Sequence, residues 1–135
     1  MSTSLNILLA EDDTETRNNI VSDLKELGFN SIIEAEDGLQ ALGFFYSPPG
    51  DIIKFDIVIS DMIMPNVSGL ELISSIRSID AEKTIPFLML TSKSDKNTIV
   101  QCVKAGVTSY LLKPWSKQSL SEKIVFCISK IKDYK

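Results

Sequence analysis

Phe55-Asp56-Ile57-Val58-Ile59-Ser60-Asp61-Met62-Ile63-Met64-Pro65, continuing as Asn66-Val67-Ser68-Gly69-Leu70, is the stretch on which the reading of the whole chain turns. Ile57, Val58 and Ile59 form a short, β-branched, continuously apolar run of the kind a strand buried on both faces requires, and the run stops at the carboxylate of Asp61. Pro65 cannot continue a ladder and Gly69 tolerates unusual dihedrals, so a turn is expected before the spacing Leu70, Leu72, Ile73, Ile76 opens a helix that reaches about Ser78. Strand, acidic tip, loop and helix follow in that order. In open parallel sheets ligands bind at the carboxyl ends of strands, which makes Asp61 the first candidate for chemistry.

The same unit repeats in both directions along the chain. Residues 5 to 10 read as a buried strand ending in Glu11-Asp12-Asp13; Asp13 can cap a helix with the stripe Thr16, Ile20, Leu24, Leu27, which Gly28 closes. Residues 31 to 34 are a short strand, and Asp37-Gly38 turns into the helical pattern Leu39, Leu42, Phe45, Tyr46 before Ser47-Pro48-Pro49-Gly50-Asp51 breaks it. A polar loop spans residues 79 to 84. Residues 87 to 90 are a fourth strand that stops at Thr91-Ser92. Asp95 caps a helix carrying Ile99, Val100 and Val103 up to Gly106. Tyr110-Leu111-Leu112 is a fifth strand ending in Lys113-Pro114. The last helix begins near Ser116 and keeps Leu120, Ile124, Cys127, Ile128 and Ile131 on one face, with Lys130, Lys132 and Lys135 toward the dipole's negative end. Five strands alternating with five helices imply an α/β fold, a parallel sheet covered on both faces. This pattern does not fix the order of the strands.

A chain of 135 residues with 44% hydrophobic and 24% charged residues fits one globular domain, read as residues 1-135 with no output domain. Fourteen basic against eighteen acidic residues give a net charge of -4, which argues against sequence-independent binding to nucleic acid. The start lacks a basic-then-apolar leader, and no apolar run approaches the ~20 residues of a membrane span, so the cytoplasm is the expected location. Cys102 and Cys127 lack metal-motif spacing and read as small buried hydrophobes. Histidine is absent, so any chemistry rests on carboxylates, Lys, Thr or Ser.

Glu11, Asp12, Asp61, Thr91 and Lys113 all follow the carboxyl ends of strands, and a parallel sheet brings such ends to one edge. Carboxylates held together repel unless a cation is shared among them. Mg²⁺ takes one or two carboxylates, keeps several waters and accepts a phosphate oxygen, so Asp12 and Asp61 suit it and the remaining acid can hold a water. A carboxylate beside Mg²⁺ can attack a phosphoryl group, with Lys113 as a point charge on that group and the Thr91 hydroxyl as a donor. Three other readings compete. A phosphatase of the haloacid-dehalogenase type needs a second acid where Ile63 stands; a flavodoxin-like cofactor binder wants a phosphate-cradling loop where Glu11-Asp12-Asp13 would repel the anion; an unphosphorylated interaction module would have no use for the full set of site residues.

In order and local context these residues resemble the response-regulator receiver family, and most closely its chemotaxis-type single-domain members: Glu11-Asp12 after the first strand, Asp61 with Met64-Pro65 and Gly69 after the third, Thr91-Ser92 after the fourth, Tyr110 and Lys113-Pro114 around the fifth. The resemblance implies a flavodoxin-like, doubly wound five-stranded sheet of order 2-1-3-4-5. It implies Asp61 as phosphoacceptor, Mg²⁺ held by Asp12, Asp61 and the backbone carbonyl of Ile63 with Glu11 holding a metal-bound water, and Thr91 and Lys113 on the phosphoryl group. Thr91 and Tyr110 would be the switch pair. The donor would be a sensor histidine kinase or a histidine phosphotransfer protein. The chain would be no enzyme beyond its own phosphorylation and slow dephosphorylation. Trp115 stands where the family more often has phenylalanine, the loop Ser47 to Lys54 looks long, and Ile63 and Lys93 occupy variable positions flanking the site.

The resemblance also implies output through a downstream effector protein, with a phosphorylation-dependent dimer compatible with it, and no contact with membrane or nucleic acid. At ~100° per residue Phe126 lies roughly 145° from the centre of the last helix's apolar stripe, so its ring is expected in solvent. With Ile99, Val103 and Tyr110 it would form the partner surface.

Overall fold

The computed structural model describes residues 4–46, 54–79, 82 and 84–131. Five parallel strands, β1 (Asn6–Ala10), β2 (Ser31–Ala35), β3 (Ile57–Asp61), β4 (Phe87–Thr91) and β5 (Ser109–Leu112), form one sheet in the order β2-β1-β3-β4-β5. They alternate with α1 (Thr14–Glu26), α2 (Gly38–Gly43), α3 (Gly69–Arg77), α4 (Lys96–Ala105) and α5 (Lys117–Ile128). This is the doubly wound, flavodoxin-like arrangement that the family resemblance implies.

Strand pleating divides the core into two layers. Ile7, Leu9, Ile57, Ile59, Leu88, Leu90 and Leu111 turn to the face covered by α1 and α5, where they meet Ile20, Leu24, Leu120 and Ile124. Their neighbours Leu8, Val58, Phe87 and Met89 turn to the opposite face and meet Leu72, Ile73, Ile76 and Cys102. Because side chains alternate with period two, the residues one step beyond Leu9, Ile59 and Leu111 on the first face are Glu11, Asp61 and Lys113. The pleat that buries the core thus aims three charged side chains to one side of the sheet's carboxyl edge. Both cysteines are buried, and burial pushes the Cys127 thiol up to about 12.

The helices start where short polar side chains can satisfy free N–H groups. Asp13, Asp37, Ser68, Asp95 and Ser116 each accept from the N–H three residues on, and Ser68 with Glu71 closes a capping box that starts α3. Gly106 ends α4 in the left-handed region at φ 93°, which a side chain would resist.

The α2 stripe differs from expectation at two of its four positions. Leu39 and Tyr46 are 57% and 64% exposed, whereas Leu42 and Phe45 face the core as expected and are joined there by Ala41 and Phe44. For Tyr46 the cause is helix pitch: α2 ends at Gly43 and Phe44–Tyr46 continue as a 3-10 turn, whose three-residue period rotates Tyr46 away from Leu42. On α4, Val100 and Val103 are exposed while Thr98 and Cys102 are buried. Thr98 tolerates burial because its hydroxyl donates to Asp95 Oδ1 at 2.8 Å. Residues 47–53 of the loop expected to be long lie outside the described residues, as do Asp80, Ala81, Lys83, Lys132 and Lys135.

Candidate functional site

Glu11 leaves β1 with its N–H bonded to Ala35 O at 3.1 Å, and its side chain is fully buried. Its Oε2 accepts the N–H of Asp13 at 3.1 Å and its Oε1 accepts the Lys113 ammonium at 3.0 Å. Asp61 ends β3. Its Oδ1 accepts the N–H of Met62 at 2.9 Å and lies 3.2 Å from Lys113 Nζ. Lys113 leaves β5 with its N–H on Thr91 O at 2.9 Å, which registers it against the end of β4. Thr91 Oγ1 accepts the N–H of Lys93 at 3.0 Å, leaving the hydroxyl proton available to another acceptor.

The loop after Asp61 returns close under the strand end. Gly69 N–H donates to Met62 O at 2.9 Å, and a Cβ on residue 69 would lie 2.3 Å from Asp61 O and 2.8 Å from Met89 Sδ. Gly69 is therefore required for close approach rather than for an unusual dihedral; the left-handed residue in this loop is Asn66, at φ 69°.

Oxygens of Glu11, Asp12 and Asp61 all lie within 4.8 Å of one another. Burial, reinforced by the charge of Asp61, raises the proton affinity of Glu11 despite the Asp13 N–H and Lys113, which act the other way. Burial acts to lower the Lys113 pKa, but the Glu11 hydrogen bond and the charges of Asp61 and Glu11 outweigh it and the net shift is upward. One ammonium facing three carboxylates leaves the cluster negative. A set of hard oxygen donors with Asp12 exposed to solvent fits an oxygen-seeking divalent cation that retains waters. Ile63 stands two residues beyond Asp61 with its side chain 61% exposed, and Lys93 is exposed.

Two elements of the site carry no periodic signal in the sequence. Arg17 donates to Glu11 O at 2.7 Å and to Glu34 Oε1 at 3.3 Å, fixing the acidic loop after β1. Trp115 Nε1 donates to Asp23 Oδ2 on α1 at 3.1 Å, beside a cleft of about 620 Å³ that Lys113 also lines. Away from the acids, Val103, Tyr110 and Phe126 line a second cleft of about 390 Å³ with Glu122 and Lys123. Ile99 is half-buried and is not part of that lining. Phe126 is 46% exposed, with the Lys130 ammonium 5.1 Å from its ring centre, and Lys123 lies 5.7 Å from that of Tyr110. Among the described residues no helix is long and apolar enough to cross a membrane.

Residues 7–125 match the response regulator receiver domain family. The chain is 35% identical over 124 residues to the chemotaxis protein CheY-3 of Vibrio cholerae, covering 92% of each. Its fold is similar to that of the signal receiver domain of a signal transduction histidine kinase from Syntrophus aciditrophicus, with TM-score 0.83 and 25% identity over 98% of this chain and 96% of that one. A receiver domain of a sensor histidine kinase from Pseudomonas aeruginosa PAO1, whose structure has a magnesium ion coordinated in the active site cleft, superposes with TM-score 0.76 at 25% identity, covering 87% of this chain and 92% of that one. The strand order, the acid cluster at the carboxyl edge and these likenesses agree: the chain belongs to the response regulator receiver family, of the CheY-like, two-component signalling kind.

Proposed function

We propose that this chain accepts a phosphoryl group on Asp61 from a phosphohistidine donor, a sensor histidine kinase or a histidine phosphotransfer protein, and signals by phosphorylation-dependent binding to a downstream protein. The observation that carries the reading is the placement of Asp61: its carboxylate ends β3 within 4.8 Å of Glu11 and Asp12 and 3.2 Å from the Lys113 ammonium. A carboxylate becomes a useful nucleophile toward phosphorus when the negative charge that accumulates beside it is balanced. Asp12 and Asp61 would hold Mg²⁺, with Glu11 oriented toward its water shell and the Ile63 carbonyl as a further donor; when bound, the ion neutralises charge on the transferring oxygens.

The protein's own groups supply the rest. Asp61 presents its carboxylate from a strand end anchored by the Met62 N–H to Leu90 O bond at 2.9 Å, so the nucleophile is held by the sheet itself. Lys113 is poised to exchange one of its carboxylate partners for a phosphoryl oxygen. Thr91 has its hydroxyl proton free to donate to another. Thr91 and Tyr110, on the same strand pair, would turn the added charge into a shift in the conformers of the β5 surface, and the partner would select one of them. Self-catalysed phosphorylation and slow dephosphorylation are the only reactions this reading assigns, in the cytoplasm, with no nucleic acid or membrane engaged directly.

The exposed cleft bordered by Val103, Tyr110 and Phe126 is the output surface in this reading, without Ile99, and it also accommodates a phosphorylation-dependent dimer. Incubation with phosphoramidate should transfer phosphate to the protein with Mg²⁺ present and not with a chelator in excess. Uptake by Asp61→Asn at the wild-type rate would refute the assignment.

A further inference from the structure

Lys113, Pro114 and Trp115 leave β5 along one wall of the 620 Å³ cleft, and Thr16, Asn19 and Ser22 of α1 form the other. Two side-chain links join the walls, the first between residues that themselves line the cleft. Trp115 Nε1 donates to Asp23 Oδ2, and Lys117 pairs with Glu26, three residues farther along α1 and so on the same helix face. The indole ring is partly buried against the core layer that contains Leu120 and Ile124, which fixes where its N–H can point. Pro114 separates Trp115 from Lys113. Its ring locks φ, which removes one of the torsions that could absorb a displacement between the two residues.

We propose that Trp115, through its hydrogen bond to Asp23, is a positioning residue for Lys113: it sets the distance between the β5–α5 loop and α1 at which the ammonium reaches Glu11 and Asp61 together. The inference rests on the reading of Asp61 as phosphoacceptor and of Lys113 as its phosphoryl contact. It goes beyond that reading by assigning a site 92 residues from Trp115 in sequence a share in the transfer rate. The two ammonium contacts, 3.0 and 3.2 Å, leave little slack, and a misplacement of about 1 Å can cost up to ~10²-fold in rate.

The test uses the full chain with Mg²⁺ and phosphoramidate, following the rate constant of phosphate uptake, and in parallel the rate at which an amine reagent labels Lys113, located by peptide mass spectrometry. Trp115→Phe removes the N–H and keeps a ring; Asp23→Leu removes the acceptor; Asp23→Asn keeps one. The two disruptive variants should each slow uptake about tenfold, as loss of an outer-shell partner does at metal sites. Lys113 should label faster in both. The double variant should fall no further than the worse single one, because both changes remove one bond, and Asp23→Asn should stay within about twofold of wild type. Asp23→Leu alters a half-buried helix position and carries the test by itself if Trp115→Phe does not fold. Wild-type uptake and wild-type labelling in both variants would overturn the proposal, and so would slow uptake with unchanged labelling. If the wild-type protein takes up no phosphate at all, the reading of Asp61 fails, whereas the labelling still reports where Lys113 is held.

Discussion

Replacing Lys113 with methionine keeps the length of the side chain and deletes its charge. The ammonium lies 3.0 Å from Glu11 Oε1 and 3.2 Å from Asp61 Oδ1, and those side chains are only 1% and 13% exposed. At an effective dielectric of about 20 each contact is worth about 5 kcal/mol of gross attraction, most of it offset by the cost of bringing the charges out of water. What the substitution exposes is that cost without the attraction. Breaking a buried pair in this way typically destabilises by ~3–5 kcal/mol, and the 23% exposure of the Lys113 side chain puts the loss here near ~3 kcal/mol. For a domain of this size that is a fall in melting temperature of about 10 °C. The folded-state pKa of Glu11 already lies above its ordinary value through burial, so its ionisation costs stability as pH rises past the unfolded pKa, and loss of Lys113 enlarges that cost. The deficit should accordingly shrink as pH falls from 7.5 toward about 5, and Mg²⁺ should restore more stability to Lys113→Met than to wild type, because a dication replaces the missing charge. Thermal unfolding followed by circular dichroism, with chelator and then with Mg²⁺, measures all three effects. A melting temperature within about 2 °C of wild type in chelator would show that the ammonium is not the counter-charge of the two acids.

Gly69→Ala should destabilise by ~1–3 kcal/mol, since the new Cβ meets Asp61 O at 2.3 Å and the backbone has to part; an unchanged melting temperature would remove that contact from the argument. Ile63→Asn should shorten the life of the phosphorylated form several-fold, because an exposed amide can orient the attacking water that the apolar side chain cannot. The decay of phosphate from purified protein decides it, and no acceleration ends the shielding idea. Phe126→Ala should leave phosphate uptake intact and weaken self-association or partner binding by about 1–3 kcal/mol, measured by sedimentation or calorimetry on the phosphorylated protein. A lower melting temperature with binding unchanged would assign the ring to the core.

The sheet and its acid edge were legible because each rests on a short-range rule. Apolar runs at Ile57–Ile59 and Phe87–Leu90 stop at polar residues where strands leave the core, and a parallel sheet carries Glu11, Asp61 and Lys113 to one edge without knowledge of the strand order. Features set by a change of pitch or by distant contact were not legible. Tyr46 fits a helical stripe on paper and lies in solvent because the second helix tightens into a 3-10 turn after Gly43. The glycine at 69 was readable as a loop residue, but the reason for it, a backbone oxygen 2.3 Å from where a Cβ would be, depends on how α3 returns beneath β3. Arg17 and the Trp115–Asp23 bond draw on partners 17 and 92 residues away, which no local pattern announces.

The claim that everything else depends on is that Asp61 itself takes the phosphoryl group. Peptide mapping by mass spectrometry after brief reaction with phosphoramidate and Mg²⁺ tests it most directly. The account predicts a base-labile, hydroxylamine-cleavable acyl phosphate on the peptide containing Asp61, absent from Asp61→Asn and from chelated samples. Phosphate on a peptide carrying Asp12, Ser92 or any other residue in the wild-type protein, with Asp61 unmodified, would contradict it.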